Sequence, residues 1–180
     1  MAVLSTSAFT TRPGADEFAP YYARYIDQVP DGDVLETLER QLADTVALMD
    51  RFGEAGSAHR YAEGKWSVKE VLGHLADAER VFCYRAMAAA RAEPGSLPAF
   101  DENAYVANAT FDARSLASLL GEMTAVRRAT LALFRSMTPT ELARRVVANN
   151  VPVSARALAW IVAGHERHHQ TILRDRYLKA

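Results

Sequence analysis

The chain of 180 residues is 49% hydrophobic and 24% charged, with a formal net charge of −1. This length suits a single domain, residues 1–180, with a full hydrophobic core. The balanced charge argues against the basic surface of a nucleic-acid-binding protein, and no stretch approaches the ~20 apolar residues of a membrane-spanning helix. From these two observations we expect neither nucleic-acid nor membrane partners. Because the N-terminus lacks the apolar core of a secretion signal, we expect a cytoplasmic protein.

The N-terminal segment, residues 1–30, is expected to form a short helix and an extended strap outside the main helical body. Its stretch "FAPYYARYIDQVP", residues 18–30, carries three tyrosines. Aromatic residues of this kind are suited to packing, either on the body of the protein or on a second subunit. Residues 31–180 are expected to form the helical body.

The first two long helices have clear start signals. Asp33 is a capping residue at the start of an apolar stripe that continues at three- and four-residue spacing to 52–53, where the first helix should end. The second helix begins with the capping box of Ser67 and Glu70. It is predicted to run to about Arg91, because the following "EPGSLP" contains two prolines and a glycine.

Two further long helices follow. Asp112 is predicted to cap a third helix that ends near Met137, and Thr138 with Pro139 marks the start of a short helix. The last helix begins near Ser154 and continues to the end of the chain. Four long helices without an alternating strand pattern predict an all-α four-helix bundle.

The connections between these helices predict their arrangement. The loops after the first and third helices are short enough to join antiparallel neighbours. About twenty residues separate the second helix from the third, in the stretch "LPAFDENAYVANATFD" and its flanks. A long connection of this kind in a compact domain is expected to cross the bundle or to cover a site.

The histidines of the last helix form a candidate metal-binding pair. His165 and His169 are four residues apart, so both rings lie on one face of the helix. Leu158, Ile161 and Ile172 share that face and are apolar, so the pair should point into the core. Two buried imidazoles need partners for their nitrogens, and a shared metal ion would satisfy both.

The best candidate for a third ligand is His74 on the second helix, because facing helices of a bundle can present it to the same point. Three neutral imidazoles suit zinc or nickel, with iron, manganese, copper and cobalt as alternatives, so the ligand set does not select the ion. Cys83 lies on the opposite face of that helix, nine residues on, and is expected to be a core thiol. As the single cysteine it also excludes an internal disulfide.

The same stretch spells the H-E-x-x-H signature of zinc proteases, which would make Glu166 a general base. That class also needs a third ligand downstream. Only eleven residues follow His169, and Asp175 is their only carboxylate, so the match is a coincidence of letters. His168 lies about a quarter-turn from the ligand face and is expected beside the site, whereas His59 lies in a polar loop and is expected to have no chemical role.

Two long motifs, "KWSVKEVLGHLADAERVFCYR" and "ALAWIVAGHERHHQTIL", together resemble the DinB/YfiT-like superfamily of four-helix-bundle metalloenzymes. The resemblance also includes "PYYARYI" and "FDENAYV". It implies a four-helix bundle with a long crossover after the second helix, usually dimeric, and a divalent metal held by residues that correspond to His74, His165 and His169. It also implies that His168, the middle histidine of the last motif, is not a ligand.

The resemblance implies several activities. Characterised members include transferases and isomerases that use bacillithiol, mycothiol or glutathione, together with a proposed metal-dependent hydrolase. Sulfoxide synthases with a related domain carry a carboxylate where this chain has Thr171, and the mycothiol-dependent isomerase carries one where this chain has His165. Neither of these two activities is therefore expected here.

The leading hypothesis is a metal-dependent enzyme that transfers a low-molecular-weight thiol to an electrophile. Its first alternative is a metal-dependent hydrolase of the same fold. Its second is a protein without catalysis, namely a stress-related homodimer that binds a metal or a ligand. A thiol-dependent transfer needs no nucleophile from the protein, which agrees with the lack of a Ser-His-Asp or Cys-His pattern.

Other residues are candidates for supporting roles around the metal. Asp77 and Glu70 are candidates for orienting an imidazole ring, as is His168. The aromatic residues considered for the lining of a substrate pocket are Trp66, Trp160, Tyr105 and Phe100.

Overall fold

Helices dominate the fold of residues 7–178, the part of the chain that the computed structural model describes. The predictions for the start of the strap and the end of the last helix, residues 1–6 and 179–180, lie outside these described residues. No helix within the described part is long and apolar enough to cross a membrane. The helices are α1 (Ser7–Thr10), α2 (Ala23–Ile26), α3 (Val34–Gly56), α4 (Val68–Ala90), α5 (Glu102–Asn108), α6 (Leu116–Arg135), α7 (Pro139–Ala143) and α8 (Ala155–Ile172), and the strands are β1 (Arg145–Ala148) and β2 (Val151–Ser154).

The four long helices α3, α4, α6 and α8 form the predicted bundle. Both α3 and α4 pack against α6 and against α8, so α3 and α4 lie diagonally across the bundle from each other. The short loop between α3 and α4 had predicted that these two helices are direct neighbours, and this prediction is wrong. Both α6 and α8 lie between α3 and α4, and residues 157–164 of α8 are all buried there. α6 and α8 therefore form the other diagonal, and the prediction that their connection joins neighbours is also wrong. The long connection, 91–115, joins α4 to α6 as predicted.

The two predicted helix starts at Asp33 and Ser67 are confirmed. The Asp33 carboxylate accepts hydrogen bonds from the first backbone amides of α3. Ser67 accepts a hydrogen bond from the Glu70 amide, and the Glu70 carboxylate accepts one from the Ser67 amide. The break at the end of α3 also lies where it was predicted, because Gly53 has the positive φ of 60°. One more helical turn follows and ends at Gly56.

The predicted start of the third long helix at Asp112 is wrong. Ser115 caps α6, its hydroxyl accepting from the Ser118 amide. Asp112 has other partners, because the Ser67 hydroxyl donates to one carboxylate oxygen at 2.5 Å and Arg60 donates to the other at 2.7 Å. These contacts join the start of α4 to the segment before α6, so tertiary structure decides which residue becomes the cap.

A β-hairpin that the sequence pattern did not predict precedes α8. Strands β1 and β2 pair antiparallel, and the turn residues Asn149 and Asn150 have φ values of 50° and 63°. Two adjacent asparagines with positive φ are typical of the tight turn that matches strand twist. The Leu97 amide donates to the Val147 carbonyl at 2.8 Å, so the hairpin also anchors the connection between α4 and α6.

A buried polar layer divides the hydrophobic core into two clusters. One cluster contains Phe82 and Trp160, and the other contains Leu75 and Met123. Between the clusters, one residue from each of three helices joins a common ion-paired group: Glu79 from α4, Arg127 from α6 and Glu166 from α8.

The N-terminal segment packs on the bundle at α8. Gly164 allows this close approach, because a Cβ atom there would lie 2.1 Å from the carbonyl oxygen of Tyr25. Arg12 fixes the end of the segment by donating to the carbonyls of Ile26 and Val29 at 2.6 and 2.7 Å. Of the two packing options for the tyrosines, Tyr25 therefore takes the first and is buried against the bundle.

Candidate metal centre

The neighbouring helices α4 and α8 bring the three predicted histidines together. The ring centroids of His74 and His165 are 5.0 Å apart, those of His74 and His169 are also 5.0 Å apart, and those of His165 and His169 are 4.6 Å apart. One nitrogen from each ring lies within 4.8 Å of the others. The spacing is suited to three ligands that face a single point between two helices.

Burial sets the protonation state of these rings. It lowers the pKa of His74 to about 4. Burial, together with repulsion from the neighbouring imidazoles, holds the pKa of both His165 and His169 well below the usual value. At neutral pH all three rings are therefore uncharged, which is the form that binds a metal ion.

The polar atoms of the cluster fit a shared cation. The Nε2 atoms of His74 and His165 face each other at 3.1 Å, and without an ion one of them has to donate to the other. A cation would accept both lone pairs. The Nδ1 atom of His74 is buried and has no hydrogen-bond partner among the described residues, so the polar contact of this ring is the one that Nε2 makes with His165. The donor set and its protonation state thus suit a divalent metal.

Aromatic side chains surround the histidines. The ring of Trp66 lies 4.7 Å from His74 and stacks on His169 with an interplanar angle of 20°. Phe82 and Tyr25 make edge contacts with His165 at 5.6 and 5.4 Å. These rings form the walls of a cavity of about 220 Å³, whose other lining residues are Tyr21, Tyr22, Arg24, His74, Ala78, Arg85, Phe100, Glu102, Asn149, His165, His168 and His169.

His168 lies beside the cluster, as its position on the helix predicts. Its ring contacts Tyr25 and His169 edge-on, each at 5.3 Å between centroids, and it lines the cavity without joining the convergent nitrogens. His59 lies elsewhere, in the loop after α3, with its ring 6.0 Å from that of Tyr177.

The two carboxylates considered for orienting an imidazole make other contacts. Asp77 pairs with Arg80 at 3.2 Å on the outer side of α4. Glu70 belongs to the capping box of α4 and pairs with Arg60. Neither makes a hydrogen bond with His74 in the described part of the chain.

Glu166 of the H-E-x-x-H stretch does not line the cavity. It is buried on the other side of α8, where the Thr45 hydroxyl donates to it at 2.6 Å and Arg127 donates at 2.7 Å. Its carboxylate therefore stabilises the packing of α3, α6 and α8. Cys83 is also unsuited to chemistry, because burial raises the pKa of its thiol to about 12.

Of the four aromatic residues considered for the lining of the pocket, two line the cavity and two do not. Trp66 and Phe100 line the cavity. Trp160 is completely buried in the core, and Tyr105 is exposed, with its ring 4.7 Å from that of Phe100.

Several cavity residues were not predicted to belong to the site. Phe82 and Arg85 follow His74 on one face of α4 at helical spacing, so the periodicity of that helix contained the signal. Arg24 and Tyr25 come from α2, about fifty residues before His74, and no local pattern connects them to it.

Comparisons with known proteins agree with this fold. The sequence model of the DinB superfamily matches residues 37–173, whereas no protein of curated function matches the chain. YfiT from Bacillus subtilis, described as a probable metal-dependent hydrolase with an unusual four-helix bundle topology, is 18% identical, with a TM-score of 0.67 over 94% of this chain and 93% of that chain. YjoA from Bacillus subtilis, a DinB-like protein, is 18% identical, with a TM-score of 0.58 over 81% and 90% of the two chains.

The mycothiol-dependent maleylpyruvate isomerase is also similar in fold. It is 13% identical, with a TM-score of 0.66 over 81% of this chain, but the match covers only 61% of the isomerase. At these levels of identity the structural likenesses establish the four-helix fold. The sequence model spans more than two thirds of the chain and so establishes its superfamily.

Proposed function

This chain belongs to the DinB superfamily, and from that premise we propose that it is a divalent-metal-dependent enzyme. We propose that its reaction transfers a low-molecular-weight thiol, of the bacillithiol, mycothiol or glutathione type, to an electrophilic substrate. The observation that carries this proposal is the convergence of three neutral imidazoles, two buried and one half-buried, beside a cavity large enough for a small molecule. These imidazoles would hold zinc or nickel.

The side chains around the cavity leave the nucleophile to be supplied from outside the protein. The described lining residues include no serine, cysteine, lysine or aspartate, and Glu102 is their only carboxylate. Burial raises the pKa of both Tyr22 and Tyr25, which keeps their hydroxyl groups protonated as hydrogen-bond donors. When bound, a divalent ion would lower the pKa of a thiol or of a water molecule at the site and so supply a nucleophile at neutral pH.

The aromatic walls have a separate role in this proposal. Trp66, Phe82 and Tyr25 surround the histidines and exclude bulk water from the place where the reaction would occur. A low local dielectric strengthens the attraction between an anionic nucleophile and nearby positive charge. Arg24 and the half-buried His168 lie at the same cavity, where their N–H groups are available to orient a substrate.

Hydrolysis by the same centre is the second candidate function. The observation that favours it is the likeness to YfiT, described as a probable metal-dependent hydrolase. The thiol hypothesis is favoured by the similar fold of an isomerase described as mycothiol-dependent. The two reactions differ in whether turnover requires an added thiol.

The metal centre is tested by measuring bound ions after incubation with zinc or nickel and removal of the excess. We expect about one ion per chain in the wild type, because three protein ligands suffice for a catalytic site. His74→Ala, His165→Ala and His169→Ala should each lose most of the ion. His59→Ala removes a histidine outside the site and should bind as the wild type does. Equal retention of metal by all four variants would contradict the proposed ligands.

The reaction is tested on the metal-loaded protein with 1-chloro-2,4-dinitrobenzene as the electrophile and with bacillithiol, mycothiol and glutathione supplied in turn. A thioether product whose rate depends on one thiol, and which disappears in His74→Ala, supports thiol transfer. Hydrolysis of 4-nitrophenyl acetate without any thiol, and with the same dependence on His74, would replace transfer by the hydrolase function.

A further inference from the structure

Arg85 is a buried cation without a buried counter-charge. The cations that are buried in the described part of the chain are Lys69, Arg85 and Arg127. Lys69 has the Glu54 carboxylate at 2.6 Å, and Arg127 has two carboxylates at 2.7 Å. Arg85, only 5% exposed, has none within ion-pairing distance among residues 7–178.

The groups next to the Arg85 guanidinium in the described chain carry no negative charge. Arg85 donates to the carbonyl of Pro98 at 3.0 Å, and its positive charge opposes the burial that raises the pKa of the nearby Tyr22. Both groups are uncharged, while the guanidinium has five N–H donors and keeps its charge at any ordinary pH. A buried charge of this kind is costly unless an opposite charge joins it. The anion that would join it is therefore external to the described chain.

The position of Arg85 connects it to the metal centre. His74, Ala78, Phe82 and Arg85 follow one another on a single face of α4 and line the same cavity. At about 1.5 Å per residue, the Cα atoms of His74 and Arg85 are about 16 Å apart along the helix axis, and the long arginine side chain shortens this distance because helical side chains point back toward the N-terminus. Phe82 lies between them, with its ring 5.6 Å from His165 and 6.3 Å from Tyr22. The cavity thus has a histidine end and an arginine end.

The other charged groups at the cavity leave it with more positive than negative charge. Arg24 stacks on the ring of Tyr21 at 3.8 Å and donates to the Tyr25 hydroxyl at 3.0 Å. Glu102 is the only carboxylate among the described lining residues. With the imidazoles neutral, two cations oppose one anion, so the cavity carries a net positive charge before any metal binds.

We propose that Arg85 is the binding site for a carboxylate group of the ligand, and that the charge of Arg24 adds to the attraction of the cavity for an anion. The ligand is then an elongated molecule whose reacting group lies at the histidines and whose carboxylate lies at the arginine end of the cavity. This inference deepens the proposed function, on which it rests for the role of the histidine end. Arginine suits this task because its planar guanidinium matches a carboxylate with two parallel hydrogen bonds.

The first test uses metal-free protein and probes that contain no thiol, so it is independent of the metal. Binding of adipate and of hexane-1,6-diol is followed by calorimetry and by the fluorescence of Trp66, which lines the cavity. Adipate should bind and the diol should not. Arg85→Gln should weaken adipate binding by about 10- to 100-fold, because it removes a charge-assisted hydrogen-bonding pair. Arg80→Gln, also on α4 but already paired with Asp77 and Glu122, should bind as the wild type does.

The stability of the variants provides a second measurement. Neutralising a buried charge that lacks an ionic partner should leave the urea midpoint of Arg85→Gln at or above that of the wild type in the absence of ligand. Arg85→Lys keeps the charge without the planar fork, so its adipate affinity should lie between those of the wild type and Arg85→Gln. A large loss of stability in Arg85→Gln, with adipate binding by the folded variant unchanged, would assign Arg85 a purely structural role and overturn the proposal.

The second test separates this inference from the proposed function. Cobalt-loaded protein is titrated with 6-mercaptohexanoate and 6-mercaptohexan-1-ol, and the absorption of a cobalt–thiolate bond is recorded. We expect the carboxylate thiol to bind more tightly in the wild type, and both thiols to bind equally in Arg85→Gln. Equal binding of both thiols to the wild type overturns the carboxylate site but leaves the thiol function intact. Adipate binding that depends on Arg85, without a thiolate band from either thiol, supports the carboxylate site and refutes the thiol function.

Discussion

The buried ionic group at the centre of the bundle offers a quantitative test of how this fold is stabilised. Arg127 is fully buried and donates four hydrogen bonds: two to Glu79, one to Glu166 and one to the Leu38 carbonyl. The distances are between 2.6 and 2.9 Å. Replacing Arg127 by methionine keeps much of the volume and removes every one of these donors. Two carboxylates are then left in the core with only threonine hydroxyls as partners.

The expected cost follows from the burial of both carboxylates. Glu79 and Glu166 are 3% and 2% exposed, so water cannot replace the guanidinium. Breaking a buried ion pair by removing one partner costs about 3–5 kcal/mol, and the upper part of this range applies because two carboxylates lose their partner. Domains of this kind have a free energy of unfolding of about 5–15 kcal/mol. Arg127→Met should therefore be folded but markedly less stable.

The assay is urea denaturation of metal-free protein, followed by far-ultraviolet circular dichroism. A chelator is present because bound metal would add stability by mass action. The triple variant Arg127→Met, Glu79→Gln, Glu166→Gln should recover most of the lost free energy, since its amide oxygens still accept from Thr45 and Thr130 and no uncompensated charge remains buried. A loss below about 1 kcal/mol in the single variant, or a triple variant no more stable than the single one, would refute this reasoning.

Further predictions concern the attachment of the N-terminal segment. Gly164→Ala should lose about 1–3 kcal/mol of unfolding free energy, because its Cβ would meet the Tyr25 carbonyl oxygen at 2.1 Å. Gly121→Ala in α6, where a Cβ meets nothing within 4 Å, should instead gain about 0.5–1 kcal/mol in the same urea experiment, and a loss in both variants would contradict the steric explanation. Burial opposes the ionisation of Glu17, but hydrogen bonds from Arg156, the Gly14 amide and Ser154 outweigh it, so the pKa of Glu17 lies below its usual value of 4.5. A lowered pKa in the folded state contributes stability above pH 4.5, and this stability is lost as the pH falls through the folded value. The urea midpoint should therefore fall less steeply between about pH 6 and about pH 3 in Glu17→Gln than in the wild type. Parallel curves for the two proteins would exclude this contribution.

Local chemistry explains which parts of the fold could be predicted from the sequence. The capping box at Ser67 depends on residues within one helical turn, and the structure contains it as predicted. Asp112 and Ser115 are both capping residues by type, and only three positions separate them. The choice depends on Ser67 and Arg60, which are distant in sequence and hold the Asp112 side chain. The start of α6 therefore could not be determined from its own neighbourhood.

The same distinction applies to the site. The meeting of the three histidines could be predicted because each lies on the apolar face of a long helix, and two such faces meet in a bundle. The cavity residues from α2 could not be predicted, because they reach the site only through the close contact of Tyr25 with Gly164. The buried role of Arg127 could not be predicted either, since in the sequence Arg127 and Arg128 look like two adjacent arginines on the exposed face of a helix.

The stretch "HERHH" shows how one short helical segment supports two different environments. Successive side chains turn by about 100° around a helix, so His165 and His169 face the cavity while Glu166 faces α3 and α6. In a zinc protease the glutamate would have to reach a water molecule on the metal. Here Arg127 and Thr45 donate hydrogen bonds to the Glu166 carboxylate in the core. Turning Glu166 toward the cavity would break the ion pair with Arg127, at a cost in stability of the kind predicted for Arg127→Met. The letters match because histidines four apart are a common solution for holding a metal, while the role of the residue between them is decided by the helices that pack on its side.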